Sequence, residues 1–153
     1  MTPLNSYDRA ILRILQADNR TSQQKIGEAV NLSAPSVQRR IRRMEAEGVI
    51  AANVAVVDPA MVGLPITIFV EVELVSELPT DIDAAKQIFR DAPEVQQCFY
   101  VTGEIDFVLV VVVESMSAYE EFTRHIFFKN GNIKKFKTFV SMDPIKTGVK
   151  VSV

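Results

Sequence analysis

Apolar residues recur along the first fifty positions with helical spacing, in three short blocks. In "SYDRAILRILQA", residues 6–17, Ile11, Leu12 and Leu15 share one face with Ala10 and Ile14 beside them, so an amphipathic helix is expected with Ser6 as its N-cap. Thr21-Ser22-Gln23-Gln24 fits a capping box, a hydroxyl with Gln three residues on, and starts a second helix whose apolar positions are Ile26, Ala29 and Val30. Asn31, which tolerates a left-handed backbone, ends it. Ser33 caps a third helix only two residues later, with Pro35 in its first turn and Val37, Ile41 and Met44 as the buried stripe. Gly48 closes that helix.

From Val49 the period changes. "VIAANVAVVD" is apolar and β-branched and reads as a strand, punctuated afterwards by Asp58-Pro59 and Gly63-Leu64-Pro65. Strands are then expected at Ile66–Val75, Val95–Thr102, Ile105–Val113 and Lys137–Met142, with helices at Asp81–Arg90 and Met116–Phe128. In the latter, Tyr119, Phe122 or Thr123, and Ile126 face inward. The order β-α-β-β-α-β predicts a ferredoxin-like antiparallel sheet with two helices on one face. Its strands are apolar on both faces, so the open face calls for a partner, and a homodimer at least is expected. The fold class is therefore α+β: an N-terminal (winged) helix-turn-helix domain over residues 1–50, a hinge strand and linker over 51–64, and a ferredoxin-like domain for sensing and oligomerisation over 65–153.

Charge sharpens the first domain. The chain of 153 residues carries a net charge of −2, which alone argues against nucleic acid. Its distribution argues the other way: residues 1–50 hold eight Lys/Arg against five Asp/Glu, and the rest is acidic. Four arginines fall within five residues of the third helix. In a helix-turn-helix that helix enters the major groove by its N-terminal residues. Ser33, Pro35 and Ser36 lie in its first turn, and Ser36, Gln38 and Arg39 are expected to face bases. Arg40, Arg42 and Arg43 are expected to clamp phosphates, for which the guanidinium fork is suited.

The second domain offers one spot for chemistry, "VTGEIDFVLV". A hairpin turn at Gly103-Glu104 is followed by Asp106, which shares a side with Glu104. Two carboxylates at a strand end can hold an ammonium group, hold a metal, or simply be solvated. Elsewhere the signals are weaker. Lone Cys98 cannot form an internal disulfide, which fits cytoplasm, and it sits in an apolar strand away from His125, the one histidine. No cofactor motif or metal-ligand spacing is visible, no signal peptide opens the sequence, and the apolar run Phe107–Val113 is too short to span a membrane. Lys134, Lys135 and Lys137 read as a solvated loop.

The run "LSAPSVQRRIRRMEAEGVI", Leu32 to Ile50, and the opening "YDRAILRILQADNRTS" resemble the Lrp/AsnC "feast/famine" regulators. Asn31 stands where that family commonly has glycine, and Ala34-Pro35 departs from its usual Pro-containing pair. The resemblance implies a regulator that binds double-stranded DNA and forms dimers, tetramers or octamers. It implies that the hinge strand pairs with its dimer mate. It also implies that an amino-acid effector binds at the Gly103 turn, between dimers, with Asp106 or Glu104 on its ammonium. Gly103 N–H and the hydroxyls of Thr102, Thr138 or Ser141 would then hold its carboxylate, the last strand forming the other wall. A DNA-packing protein without an effector, and a small-molecule enzyme using Glu104 and Asp106, are the competing readings.

Overall fold

The computed structural model describes residues 3–153, which divide into two compact units: residues 3–56 with 146–153, and residues 57–145. The first unit holds three helices, α1 (Ser6–Ala17), α2 (Gln23–Val30) and α3 (Ala34–Ala46). Ile11, Leu12, Ile26, Val30, Val37 and Met44 bury one face of each helix in a common core.

The caps of α1 and α2 each fall one residue from the expected position, for a local reason in each case. Asn5, not Ser6, caps α1: Asp8 N–H donates to Asn5 Oδ1 at 3.1 Å, and Asn5 N–H donates to Asp8 Oδ2 at 3.1 Å. This is a reciprocal capping box. Ser22, not Thr21, caps α2, because the Thr21 hydroxyl donates to the Asp18 carbonyl instead. Ser33 caps α3 as expected, and Asn31 is left-handed at φ 57°.

Gly27, in the middle of α2, carries the tight turn. The N–H groups of Asn31 and Leu32 both donate to its carbonyl, folding the chain back onto α2. A Cβ built on Gly27 would lie 2.4 Å from the Leu32 carbonyl oxygen, a backbone atom that cannot swing aside. Gly27→Ala gains helix propensity but forces the turn open, so a net loss of about 1–2 kcal/mol is expected in chemical denaturation. An unchanged midpoint would show that the turn relaxes freely.

Residues 51–58 form no strand. They run as extended coil with Val54, Val56 and Val57 exposed, since no ladder partner exists for them within the chain. The second unit opens with a 3₁₀ turn, Pro59–Val62, then β1 (Ile66–Leu74), α4 (Pro79–Asp91), β2 (Val95–Tyr100), β3 (Phe107–Val113), α5 (Met116–Thr123), a π turn (Arg124–Phe128) and β4 (Ile133–Val140). The sheet order is β2-β3-β1-β4, antiparallel throughout, as the ferredoxin-like arrangement requires. Ile68, Val70 and Val72 of β1 and Phe107, Leu109 and Val111 of β3 face Phe89, Tyr119, Phe122 and Phe127 of the helical layer. The π turn aims Phe127 into that core and leaves Ile126 half-buried.

The basic cluster is not a loop. Lys134, Lys135 and Lys137 lie within β4, which begins four residues earlier than expected. Ile133 and Phe136 pack on the core, and the register sets Lys135 opposite Glu73 and Lys137 opposite Glu71. Opposite charges across a strand pair stabilise that register. The other sheet face is open and apolar in part: Phe69 and Phe139, cross-strand neighbours, are exposed, as is Phe99 of β2.

Candidate nucleic-acid and effector sites

The four arginines of α3 divide into two pairs. Asp8 of α1 is fully buried, and Arg40 Nη1 donates to its Oδ1 at 2.8 Å. Arg43 Nη2 lies 2.7 Å from Oδ2 and makes an ion pair there. The Arg40 guanidinium also stacks over the Tyr7 ring at 5.5 Å. Both side chains are mostly buried, 22% and 30% exposed. Arg40 and Arg43 thus brace α3 against Asp8 of α1, whereas the sequence expectation has them turned outward to phosphates. At 100° per residue they sit on the flank of α3 that turns toward α1, and a buried carboxylate waits there.

Burial pushes the Asp8 carboxyl up, but Arg43, the Asn5 amide and Arg40 together outweigh it and hold it below the usual value of 3.8. Arg39 and Arg42 are left exposed, and neither makes an ion pair among the described residues. Pro35 is exposed and Gln38 half-buried on the same helix. Ser33 is engaged as the cap: its Oγ accepts from Ser36 N–H and donates to Ser36 Oγ at 2.9 Å. Asp8, Asn5 and Tyr7 escaped the sequence reading. The visible signal was Asn-x-x-Asp at the start of an apolar helix.

In the second unit the turn is a longer loop than a hairpin, Val101–Asp106, with Thr102, Gly103 and Glu104 exposed and Gly103 at φ 132°. Asp106 is half-buried and structural: its Oδ2 accepts the Leu74 N–H at 2.7 Å and its own N–H donates to the Val72 carbonyl. That ties the loop to the end of β1. Glu104 instead rims a shallow cavity of about 90 Å³ whose other charged walls are Glu71, Glu73, Lys135 and Lys137. Lys134 pairs with Glu73 and holds that carboxyl below its usual range.

Within one chain, Thr138 and Ser141, which the resemblance sets on the other wall of a site between dimers, lie away from this loop. Thr138 faces the helices, where its hydroxyl is 2.6 Å from the buried Tyr119 hydroxyl. Ser141 pairs with Thr67 through its N–H, at the opposite end of β1 from Leu74. At about 3.3 Å per residue the separation along the strand is roughly 20 Å. Cys98 packs on the core, and burial pushes its thiol up; His125 is exposed beside Lys129. No group of side chains suited to a metal ion occurs among the described residues, and no described helix is long and apolar enough to cross a membrane.

A three-helix unit with free arginines on its last helix, joined to a ferredoxin-like sheet, defines a two-domain transcription regulator. Residues 4–51 match the family model for winged helix-turn-helix DNA-binding domains, and residues 67–151 match that of the Lrp/AsnC ligand binding domain. The chain belongs to the Lrp/AsnC family of regulators, and it is a DNA-binding transcriptional regulator with a small-molecule-binding domain. It is 41% identical to an uncharacterized HTH-type transcriptional regulator of Sinorhizobium fredii, covering 98% of this chain and 89% of that one. Among solved structures, an AsnC family transcriptional regulator from Agrobacterium tumefaciens superposes with a TM-score of 0.91 at 31% identity, covering 97% and 96%. A Neisseria meningitidis transcriptional regulator in complex with L-Met superposes with a TM-score of 0.91 at 25% identity, with the same coverage.

Proposed function

We propose that the protein is a homo-oligomeric regulator, acting in the cytoplasm and not as an enzyme, that reads double-stranded DNA through the outer face of α3. An amino acid modulates its assembly or DNA binding. The observation that carries the DNA half is the division of the arginines: Arg40 and Arg43 fix the helix to Asp8 while Arg39 and Arg42 remain free in solvent. Arg39 and Arg42 supply phosphate contacts, and Pro35, Ser36, Gln38 and Arg39 approach base edges. The exposed phenylalanines of the open sheet face support self-association, since burying them needs a complementary apolar surface.

The effector half rests on the Thr102–Glu104 loop and the charged cavity beside it. Glu104, with both oxygens free of hydrogen-bonded partners among the described residues, takes the effector ammonium in this reading, and Asp106 positions the loop. The free Gly103 N–H and the flanking lysines supply counter-charge for a carboxylate. The L-Met bound to the Neisseria relative supports an amino acid as the ligand class. Thermal-shift screening against the twenty amino acids, paired with light scattering, tests this. At least one is expected to raise the melting temperature or change the particle mass, and Glu104→Gln should abolish that response while leaving the basal melting temperature unchanged. A response that survives Glu104→Gln but disappears in Asp106→Asn at intact stability would reverse the two roles. No response to any amino acid would favour a DNA-packing protein without an effector.

A further inference from the structure

The helix-turn-helix unit contains a fourth segment that the three helices do not account for. Residues 146–153 group with it, although they follow the sheet domain in sequence. We infer that residues 149–153 act as a strap, an extended segment of the same chain that docks on α1 and closes the DNA-binding head.

The contact has the form of strand recognition. The Gln16 carboxamide holds both main-chain groups of one residue: Val151 N–H donates to Gln16 Oε1 at 2.8 Å, and Gln16 Nε2 donates to the Val151 carbonyl at 3.0 Å. One turn earlier, Arg13 Nη1 donates to the main-chain oxygen of Val153 at 3.1 Å. Arg13 and Gln16 are three apart, so they lie on one helix face. Three helical residues rise about 4.5 Å and two extended residues about 6.6 Å, a mismatch that two long side chains absorb. Val153 packs against the core of the head, and Val149, Val151 and Val153 line an apolar groove of about 590 Å³ whose other walls include Leu12, Leu15 and Ile50.

The bonds lie at an exposed surface, where each is weak. Tethering offsets this, because a short linker holds the segment at an effective concentration in the ~mM range. Chain connectivity runs into the head twice, between residues 56 and 57 and again between 145 and 146. A docked strap therefore gives the head two covalent tethers, and a released strap leaves it one.

Amide exchange in the full-length protein tests this without DNA or effector. The Val151 amide should exchange about tenfold more slowly than in Gln16→Ala, with the α3 amides unchanged. Deleting residues 149–153 should shorten the rotational correlation time of the head, read from amide relaxation. Equal Val151 exchange in wild type and Gln16→Ala, or unchanged head tumbling after deletion, would overturn the inference. So would complementation. If isotope-labelled Gln16→Ala chains regain Val151 protection when mixed with unlabelled deletion chains, the strap docks on a second copy and not on its own head.

Discussion

Replacing Asp8 with alanine is expected to destabilise the helix-turn-helix unit by about 3 kcal/mol. The change strands two guanidinium groups that are mostly buried, and it removes the side chain that closes the capping box of α1. The low end of the range for broken buried pairs applies, because Arg40 and Arg43 keep some access to water. Arg40 Nε and Arg43 Nε already lack hydrogen-bond partners, so without Asp8 the Arg40 guanidinium keeps only the Tyr7 ring and a long bond to Asn5 Oδ1 at 3.4 Å. Small units have little stability in reserve, and a loss of this size is a large share of it. Urea unfolding followed by circular dichroism and hydrogen exchange in α1 and α3 reads the effect.

The same carboxylate sets a pH dependence. Its value in the folded chain lies below the ordinary 3.8, so its stabilisation is complete well above that value and fades as pH falls through it toward the folded value. The stability gap between wild type and Asp8→Asn should therefore be widest near neutrality and shrink in acid. A gap that is constant across pH would mean that Asp8 acts only as a helix cap.

Arg39→Ala combined with Arg42→Ala should leave stability nearly unchanged and remove most DNA affinity. Each guanidinium that neutralises a phosphate contributes about 0.9 to the slope of log affinity against log salt. For the proposed dimer, two per head and two heads give a slope lower by roughly 3.6 in the double variant, and a loss of about a hundredfold or more at low salt. Arg40→Ala should show the opposite profile. It loses stability, because Asp8 is left with one partner, and it loses DNA affinity only in proportion to the head unfolded. A double variant that binds DNA with the wild-type salt slope would remove α3's outer face from the interface.

The three helices were legible from apolar spacing, and the sheet arrangement from the order of the elements that this spacing marks. Val37, Ile41 and Met44 mark one face of α3, and the alternation of β1 marks another. The division of the arginines was not legible. Arg39, Arg40, Arg42 and Arg43 are chemically alike, and which pair turns inward depends on Asp8, thirty-odd residues away and brought near only by packing. Thr138 and Ser141 show the same limit. Their hydroxyls look interchangeable in sequence, yet strand alternation turns Thr138 to Tyr119, and register carries Ser141 to the far end of β1. Gly27 stands mid-helix for a reason, the Leu32 carbonyl pressed against it, that exists only once the turn has formed. Residues 51–58 have strand composition and find no ladder partner within one chain; the pairing that the family resemblance implies for them lies with a second copy.

The most direct test of the divided helix is to follow the four arginine side-chain Nε–H signals by NMR while duplex DNA is added. Arg39 and Arg42 should shift with DNA occupancy, while Arg40 and Arg43 keep their free-state positions. Movement of the Arg40 and Arg43 signals away from their Asp8-bound state, with Arg39 and Arg42 left unperturbed, would contradict the account.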